Sequence, residues 1–328
     1  MKRKPLIVVT AGDPGGIGPE ITASAVAFPP VRRACAVAVI GCRRALLRAG
    51  LDERLAPIMD IPGPAAPPAR PDARSGRVSY LAVKAAFGLA ASGLADALVT
   101  APVCKEAWRA AGLPQTSHTD FFRARTAAEP LMAFSAGKLN AALLTEHLPL
   151  SRVRAAIKTR SAAEKLLLFS RELRRLTGRA PRIGLCALNP HAGDGGLIGE
   201  EELRVLAPAA AAARKAGADV EGPLPADAAW ALHKSGGLDG LMCCYHDQAI
   251  TPIKLLAGTE RTVHLTLGLP FVRTSPAHGT AFDIAGSGKA DWRGMAEALL
   301  TAARLVRRGI PGAGRGGSPR GGDKGRRS

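Results

Sequence analysis

At 328 residues the chain is long enough for two lobes or for one large, elaborated sheet. Hydrophobic residues make up 47% and the mean hydropathy is +0.06, enough for a sizeable core, while no apolar run approaches the ~18–20 residues that span a bilayer. The net charge of +18 attracts anions, but with no recognised nucleic-acid motif a nucleic-acid partner is not expected.

Part of that charge is local. Residues 309–328 carry five basic groups against one Asp among Gly, Pro and Ser, a composition that cannot bury a core and is expected to be a disordered basic tail. The apolar stretch 6–9 is too short for a signal-peptide core, so a cytoplasmic location is expected, with no membrane contact. Cys35, Cys42, Cys104, Cys186, Cys243 and Cys244 form no C-x-x-C pair. Reduced, buried thiols are expected, with neither a disulfide framework nor a cysteine zinc site.

Residues 6–10 read as a strand that runs into Ala11-Gly12-Asp13-Pro14-Gly15-Gly16-Ile17-Gly18-Pro19-Glu20. Pro19 and Glu20 suit the first turn of a helix extending to about Ala27. A strand, a glycine loop and a helix start can cradle a phosphate, but the spacing is not that of a dinucleotide fingerprint and no Walker lysine follows. Residues 34–40 read as a second strand, 43–49 as a short helix and 61–71 as a Pro- and Ala-rich connection. A helix is expected over 80–93 and a buried strand over 97–100, followed by Ala101-Pro102-Val103-Cys104-Lys105. His118 stands at a helix start, where Thr119 or Asp120 is a candidate cap.

Further strands are expected over 139–145, 182–188, 238–245 and 262–267, and helices over 161–177, 199–216 and 291–308. Strands alternating with helices indicate an α/β architecture with helices on both faces. His118, His147, His191, His246 and His278 sit in polar or Gly-rich loops at strand or helix ends, and His191 lies in the glycine-rich Asn189-Pro190-His191-Ala192-Gly193-Asp194-Gly195-Gly196. Loops after strand ends are where open α/β sheets bind ligands. Three imidazoles from separate strand ends could hold a divalent metal with positions left open for substrate; hydrogen-bonded loop histidines are the alternative. His264 falls inside a strand-like run, and His233 reads as a helix-surface residue.

Five long motifs carry a resemblance. They are Thr10 to Glu20; Thr100 to Lys105 with Thr116 to Thr119; Leu188 to Gly196; Tyr245 to Gln248; and Leu267 to Ser275 with His278 to Ala281 and Asp283. In this order, over nearly the whole chain apart from the tail, they resemble the 4-hydroxythreonine-4-phosphate dehydrogenase family of vitamin B6 biosynthesis. The first and last also resemble loops of isopropylmalate and isocitrate dehydrogenases, which bind NAD(P) without the dinucleotide fingerprint. The resemblance implies two α/β/α lobes with a cleft. Residues 1–125 plus 276–308 would form the cofactor-side lobe and 126–275 the central metal and dimerisation lobe.

The resemblance further implies that His147, His191 and His246 hold a divalent metal at a homodimer interface, zinc first, with magnesium or cobalt as alternatives. It places substrate contacts at His118, Thr119, Lys254, His264 and Arg273, where Lys254 and Arg273 would supply the cations a phosphorylated substrate needs. NAD or NADP would lie along the loop containing His278, Gly279 and Asp283. Asp247 is the candidate to orient His246 or relay a proton, or simply a capping group. The implied reaction oxidises the 3-hydroxyl of 4-phosphooxy-L-threonine and decarboxylates the product to 3-amino-2-oxopropyl phosphate.

The chain departs from the family pattern with His264 for Asn, Cys104 for His, and Ser117 and Ala249 for Gly. Because His264 is at a substrate-contact position, D-threonate or D-erythronate 4-phosphate is the alternative substrate. A non-catalytic basic binding protein on the same fold is the rival from another class.

Overall fold

The protein is described here by a computed structural model that covers residues 3–64, 66–126 and 129–309. Its N-terminal part runs β1 (Leu6–Thr10), α1 (Gly18–Ala27), α2 (Pro29–Ala34), β2 (Ala36–Gly41), α3 (Arg43–Arg48), β3 (Ile58–Asp60), α4 (Ala73–Ala91), β4 (Ala97–Thr100), α5 (Lys105–Ala110) and α6 (His118–Arg123). The middle runs β5 (Leu131–Ala136), β6 (Leu139–Leu143), α7 (Leu150–Ala156), α8 (Thr159–Thr177), β7 (Arg182–Cys186), α9 (Ala207–Lys215), β8 (Asp219–Leu224) and α10 (Ala226–Ser235). It closes with β9 (Gly240–Cys243), α11 (His246–Ala257), β10 (Val263–Leu267), β11 (Val272–Pro276) and α12 (Arg293–Arg307). The expected basic tail lies, from residue 310 on, outside the described residues.

The strands form one 11-stranded sheet in the order β3-β2-β1-β4-β11-β10-β5-β6-β9-β7-β8. Pairing is parallel except at the centre, where β10 runs antiparallel to both β11 and β5, and β5 antiparallel to β6. Alternation along the strands sends side chains to opposite faces. Ile7, Val9, Val99, Ala133 and Leu265 share one continuous core with α1, α8, α9 and α12. The other face carries two separate cores. Val8 and Leu98 pack with α4, Trp108, Phe121 and Phe122, and Met132, Phe134 and Leu241 pack with Trp230 of α10 and Ile250 and Ile253 of α11. Between these two cores, β11, β10 and β5 present Arg273, His264 and Met132 to a cavity.

Several expectations needed correction. The helix expected from residue 80 begins at Ala73, because the Asp72 carboxylate accepts the Ser75 N–H at 2.8 Å and caps it. Cap of α6 is Ser117, whose Oγ accepts the Asp120 N–H at 3.1 Å while donating to the Asp120 carboxylate, rather than Thr119 or Asp120. His246, Asp247 and Gln248 do not trail a strand but form the first turn of α11. Pro252 lies inside that helix and lacks the N–H that would reach Gln248. The Gln248 carbonyl instead accepts the Trp230 indole N–H at 2.9 Å.

His233 is not a surface residue. It is 3% exposed, its Nε2 accepts the Asn140 N–H at 2.9 Å, and Nδ1 meets the Leu238 carbonyl at 2.9 Å. Strands β3, β5, β8 and β11 were not anticipated. All six cysteines are buried and free, and among the described residues no helix is long and apolar enough to cross a membrane.

Candidate active site

The cavity over the sheet centre has a volume of about 330 Å³. In-register pairing builds its floor: Arg273 sits beside Leu98, and His264 between Ser275 and Phe134. The end of β4 contributes Thr100 and the start of α5 Lys105, α6 contributes His118 and Thr119, and the chain after β11 contributes His278 and Gly279. His147, beyond β6, reaches the same rim.

Arg273 is 3% exposed. Its Nη1 donates to Thr266 Oγ1 at 2.8 Å and to His264 Nδ1 at 3.1 Å, its Nη2 donates to Thr100 Oγ1 at 2.5 Å, and its guanidinium lies 5.4 Å from the Phe122 ring centre. Every one of these partners is neutral. Burial pushes this guanidinium down to about 9, so it remains a cation at neutral pH. A buried charge without a counter-ion is costly, and an anionic ligand would offset that cost.

Arginine can only donate, so His264 Nδ1 must be the acceptor and the ring proton sits on Nε2. Burial and then Arg273 push His264 well below the usual histidine range, which keeps that tautomer neutral. Its Nε2 is buried without a protein partner, as are Arg273 Nε, His118 Nε2 and His278 Nε2. Burial, Arg273 and Lys105 also hold His118 well below its ordinary value; its ring stacks near Phe122 and meets the edge of Trp108. The cavity therefore offers a fixed cation, a second cation at Lys105 and at least two free N–H donors. Such a set suits a phosphate or carboxylate.

The candidate metal ligands are arranged differently. The His147 and His246 rings lie 5.5 Å apart, centre to centre. His246 Nδ1 is 2.7 Å from Asp247 Oδ1, which leaves Nε2 on the open side. His191 is not with them, and among the described residues no three His, Cys, Asp or Glu side chains gather as a metal group. His191 is exposed on the turn Pro190–Gly196. His191, Ala192 and Asp194 there have φ of 53°, 55° and 43°, left-handed conformations that cost roughly 1–2 kcal/mol each. Gly193 is required by its φ of 80° and because a Cβ there would lie 2.8 Å from Glu202 Oε2.

Lys254 is half-buried on α11, Asp247 and Asp283 are exposed, and Lys254 and Asp283 do not line the cavity. The loop carrying His278 and Gly279 continues to Thr280, whose carbonyl accepts the Ile17 N–H at 3.0 Å. A Cβ on Gly16 would meet that carbonyl at 2.8 Å, so the two glycine-rich loops touch. Next to them a cavity of about 210 Å³ is lined by Gly15, Gly16, Glu20, Ala285 and Gly286. Sequence reasoning missed Thr100, Lys105 and Ser275 as wall residues, although all three stand in the motifs it singled out.

Residues 31–302 match the family model described as pyridoxal phosphate biosynthetic protein PdxA. A 4-hydroxythreonine-4-phosphate dehydrogenase of Geobacter metallireducens is 39% identical, with 96% of this chain and 99% of that protein covered. The corresponding protein of Burkholderia vietnamiensis is 38% identical, covering 92% of this chain and 96% of its own. Among solved structures, the 4-hydroxythreonine-4-phosphate dehydrogenase of Klebsiella pneumoniae superposes with a TM-score of 0.83 at 33% identity, covering 92% and 100% of the two chains. A terephthalate 1,2-cis-dihydrodiol dehydrogenase from Burkholderia xenovorans gives 0.65 at 27% identity, covering 94% and 99%.

Proposed function

The chain belongs to the 4-hydroxythreonine-4-phosphate dehydrogenase (PdxA) family of oxidoreductases, and from that premise we propose that it oxidises the 3-hydroxyl of 4-phosphooxy-L-threonine with NAD(P)⁺ and releases CO₂ to give 3-amino-2-oxopropyl phosphate. The observation that carries the substrate side is the buried Arg273 cation with only neutral partners. In this reading Arg273, Lys105, His118 Nε2–H and His264 Nε2–H receive the phosphate, with Thr119 and Lys254 as further contacts. Walls made of strand side chains and loops hold the substrate in one pose, which lowers the entropic part of the barrier.

The metal reading fits the donors present, but only in part within one chain. The His147 and His246 rings lie 5.5 Å apart, centre to centre, and a third imidazole must come from elsewhere. His191 of a second copy meets that need, which makes the homodimer part of the proposal. Exposed apolar residues near these histidines along the chain support it: Leu148 and Leu150 after His147, Leu197, Ile198 and Leu203 after His191, and Leu255 and Leu256 on the helix begun by His246. Uncovered leucines of this kind suit an interface with a second copy. A divalent ion there would supply Lewis acidity toward the substrate's hydroxyl oxygen. Asp247 orients His246 through the 2.7 Å contact and is the candidate to take up the hydroxyl proton.

The contact between the Gly12–Gly18 and His278–Ala285 loops supports placing the dinucleotide along them, with His278, Gly279 and Asp283 as contacts. When bound, NAD or NADP supplies the hydride acceptor.

One observation favours the sugar-acid phosphates as a second reading: among the described residues no Asp or Glu lines the cavity over the sheet centre to receive a substrate ammonium. An assay of the purified protein with 4-phosphooxy-L-threonine and with D-threonate and D-erythronate 4-phosphates, each with NAD⁺ and NADP⁺, decides between them. NAD(P)H and CO₂ should form with the amino substrate, vanish with chelator and return with added metal. No turnover of any of the three would reject the assignment.

A further inference from the structure

The turn that carries His191 is unfavourable on its own, with three non-glycine residues in left-handed conformations in succession with Gly193 and Gly195. Local strain of this kind persists only when surrounding contacts over-determine it. Beside the Asn189 Nδ2–Glu201 bond and the Ile198 N–H bond to the Gly193 carbonyl, one buried side chain makes several of those contacts. Glu202 is 2% exposed, and its Oε1 accepts both the Leu188 and the Asn189 backbone N–H at 2.8 Å. Its Oε2 accepts Asn189 Nδ2 at 2.9 Å and lies where a Cβ on Gly193 would intrude. Glu202 begins a π-helical turn, Glu202–Leu206, that precedes α9. Such turns re-aim side chains and recur at functional sites.

We propose that Glu202 is the positioning residue of the His191 turn: its carboxylate ties the strand exit to the left-handed backbone that holds His191 outward, and so sets the affinity of the protein for a divalent cation. This rests on His191 being a ligand. The balance of charge fits the role, because backbone and amide N–H donors can satisfy a buried carboxylate. Outer-shell partners of metal ligands typically change affinity 10- to 100-fold when removed.

The test uses the full-length protein, cobalt(II) as the probe and amide hydrogen exchange. Glu202→Ala is expected to weaken cobalt binding about 10-fold or more and to speed exchange over residues 188–198 while leaving the exchange of β1 and β4 as in wild type. Glu202→Gln should recover most of the affinity, since its amide oxygen can still accept from Leu188 and Asn189. A general loss of packing would give no such rescue. Should Glu202→Ala fail to fold, Gly193→Ala pushes the same carboxylate off the turn from the other side and should lower cobalt affinity alike. Wild-type affinity and wild-type exchange in a folded Glu202→Ala protein, or wild-type affinity in Gly193→Ala, would overturn the proposal. Wild-type protein that takes up no cobalt would sink the ligand role of His191 and the cation-affinity half of the proposal, whereas the exchange result would still decide whether Glu202 holds the turn.

Discussion

His118 and His264 are walled in by one chain's own strands and helices, beside a buried guanidinium, whereas His147 and His191 stand on exposed turns followed by uncovered leucines. The first group is finished within a single chain. Its rings have set tautomers or lowered basicity, and its buried cation suits an anionic ligand. The second group is not gathered within one chain: the His147 and His246 rings lie 5.5 Å apart and His191 is not with them. The difference teaches how to separate binding from assembly in this molecule. Changes at Arg273 and His264 should alter substrate recognition, changes at His191 should alter divalent-cation binding, and changes at His147, which reaches the rim of the cavity, should touch both.

Arg273→Met tests the first half with the largest expected effect. Leaving an anionic substrate without this buried partner should cost ~2–5 kcal/mol, roughly 30- to 5,000-fold in kcat/KM. Thermal stability should hold or rise, because an apolar side chain replaces a charge that lacked a counter-ion. Steady-state kinetics and calorimetry on the same sample check both. A variant with normal kcat/KM, or one that loses stability and activity together, would mean that Arg273 is structural. Arg273→Lys should fall between, keeping the charge but losing the forked donors.

A smaller effect is expected at Asp13, an uncompensated charge of the opposite sign. Burial pushes its carboxyl up to about 6, opposed by the Gly15 N–H and reinforced by nearby Asp72; Oδ1 accepts that N–H at 2.9 Å and Oδ2 is buried without a partner. A carboxyl whose folded value lies above its unfolded 3.8 stabilises the fold fully below that value, and the contribution is lost as pH rises through about 6. Asp13→Asn keeps the acceptor for Gly15 and removes the titration. It should match wild type near pH 4 (about the unfolded value) and exceed it by on the order of 2–3 kcal/mol at neutral pH. Denaturant unfolding across that range measures this, and parallel profiles for the two proteins would contradict it.

Part of the candidate site was legible in the sequence because His191, His278 and Gly279 sit in or beside glycine-rich loops, a pattern that survives without knowledge of the fold. Arg273 and His264, by contrast, lie inside strands, and His118 and His246 begin helices. Strands at the sheet centre and edge were not legible. In β5 the run Leu131–Ala136 is buried throughout, so it lacks the alternation that marks a half-exposed strand. β8 contains Gly222-Pro223 and β11 ends on Pro276, residues that argue against strands on local grounds. The burial of His233 depends on Asn140 and Leu238, and Asn140 is 93 positions away. Glu202 reads as one of three glutamates opening a helix. Only the turn folded over it shows that it faces inward. The separation of His191 from His147 and His246 within one chain was likewise invisible, since sequence order does not say which loops the fold brings together.

The sharing of ligands between copies is tested most directly by complementation. Each of His191→Ala and His147→Ala alone should be inactive. In a purified heterodimer carrying one of each, one of the two sites pairs an intact His147 and His246 with an intact His191 of the other chain, so about half of wild-type turnover and metal content should return. Heterodimers as inactive as either parent, or a His191→Ala homodimer with full metal and full turnover, would contradict the account.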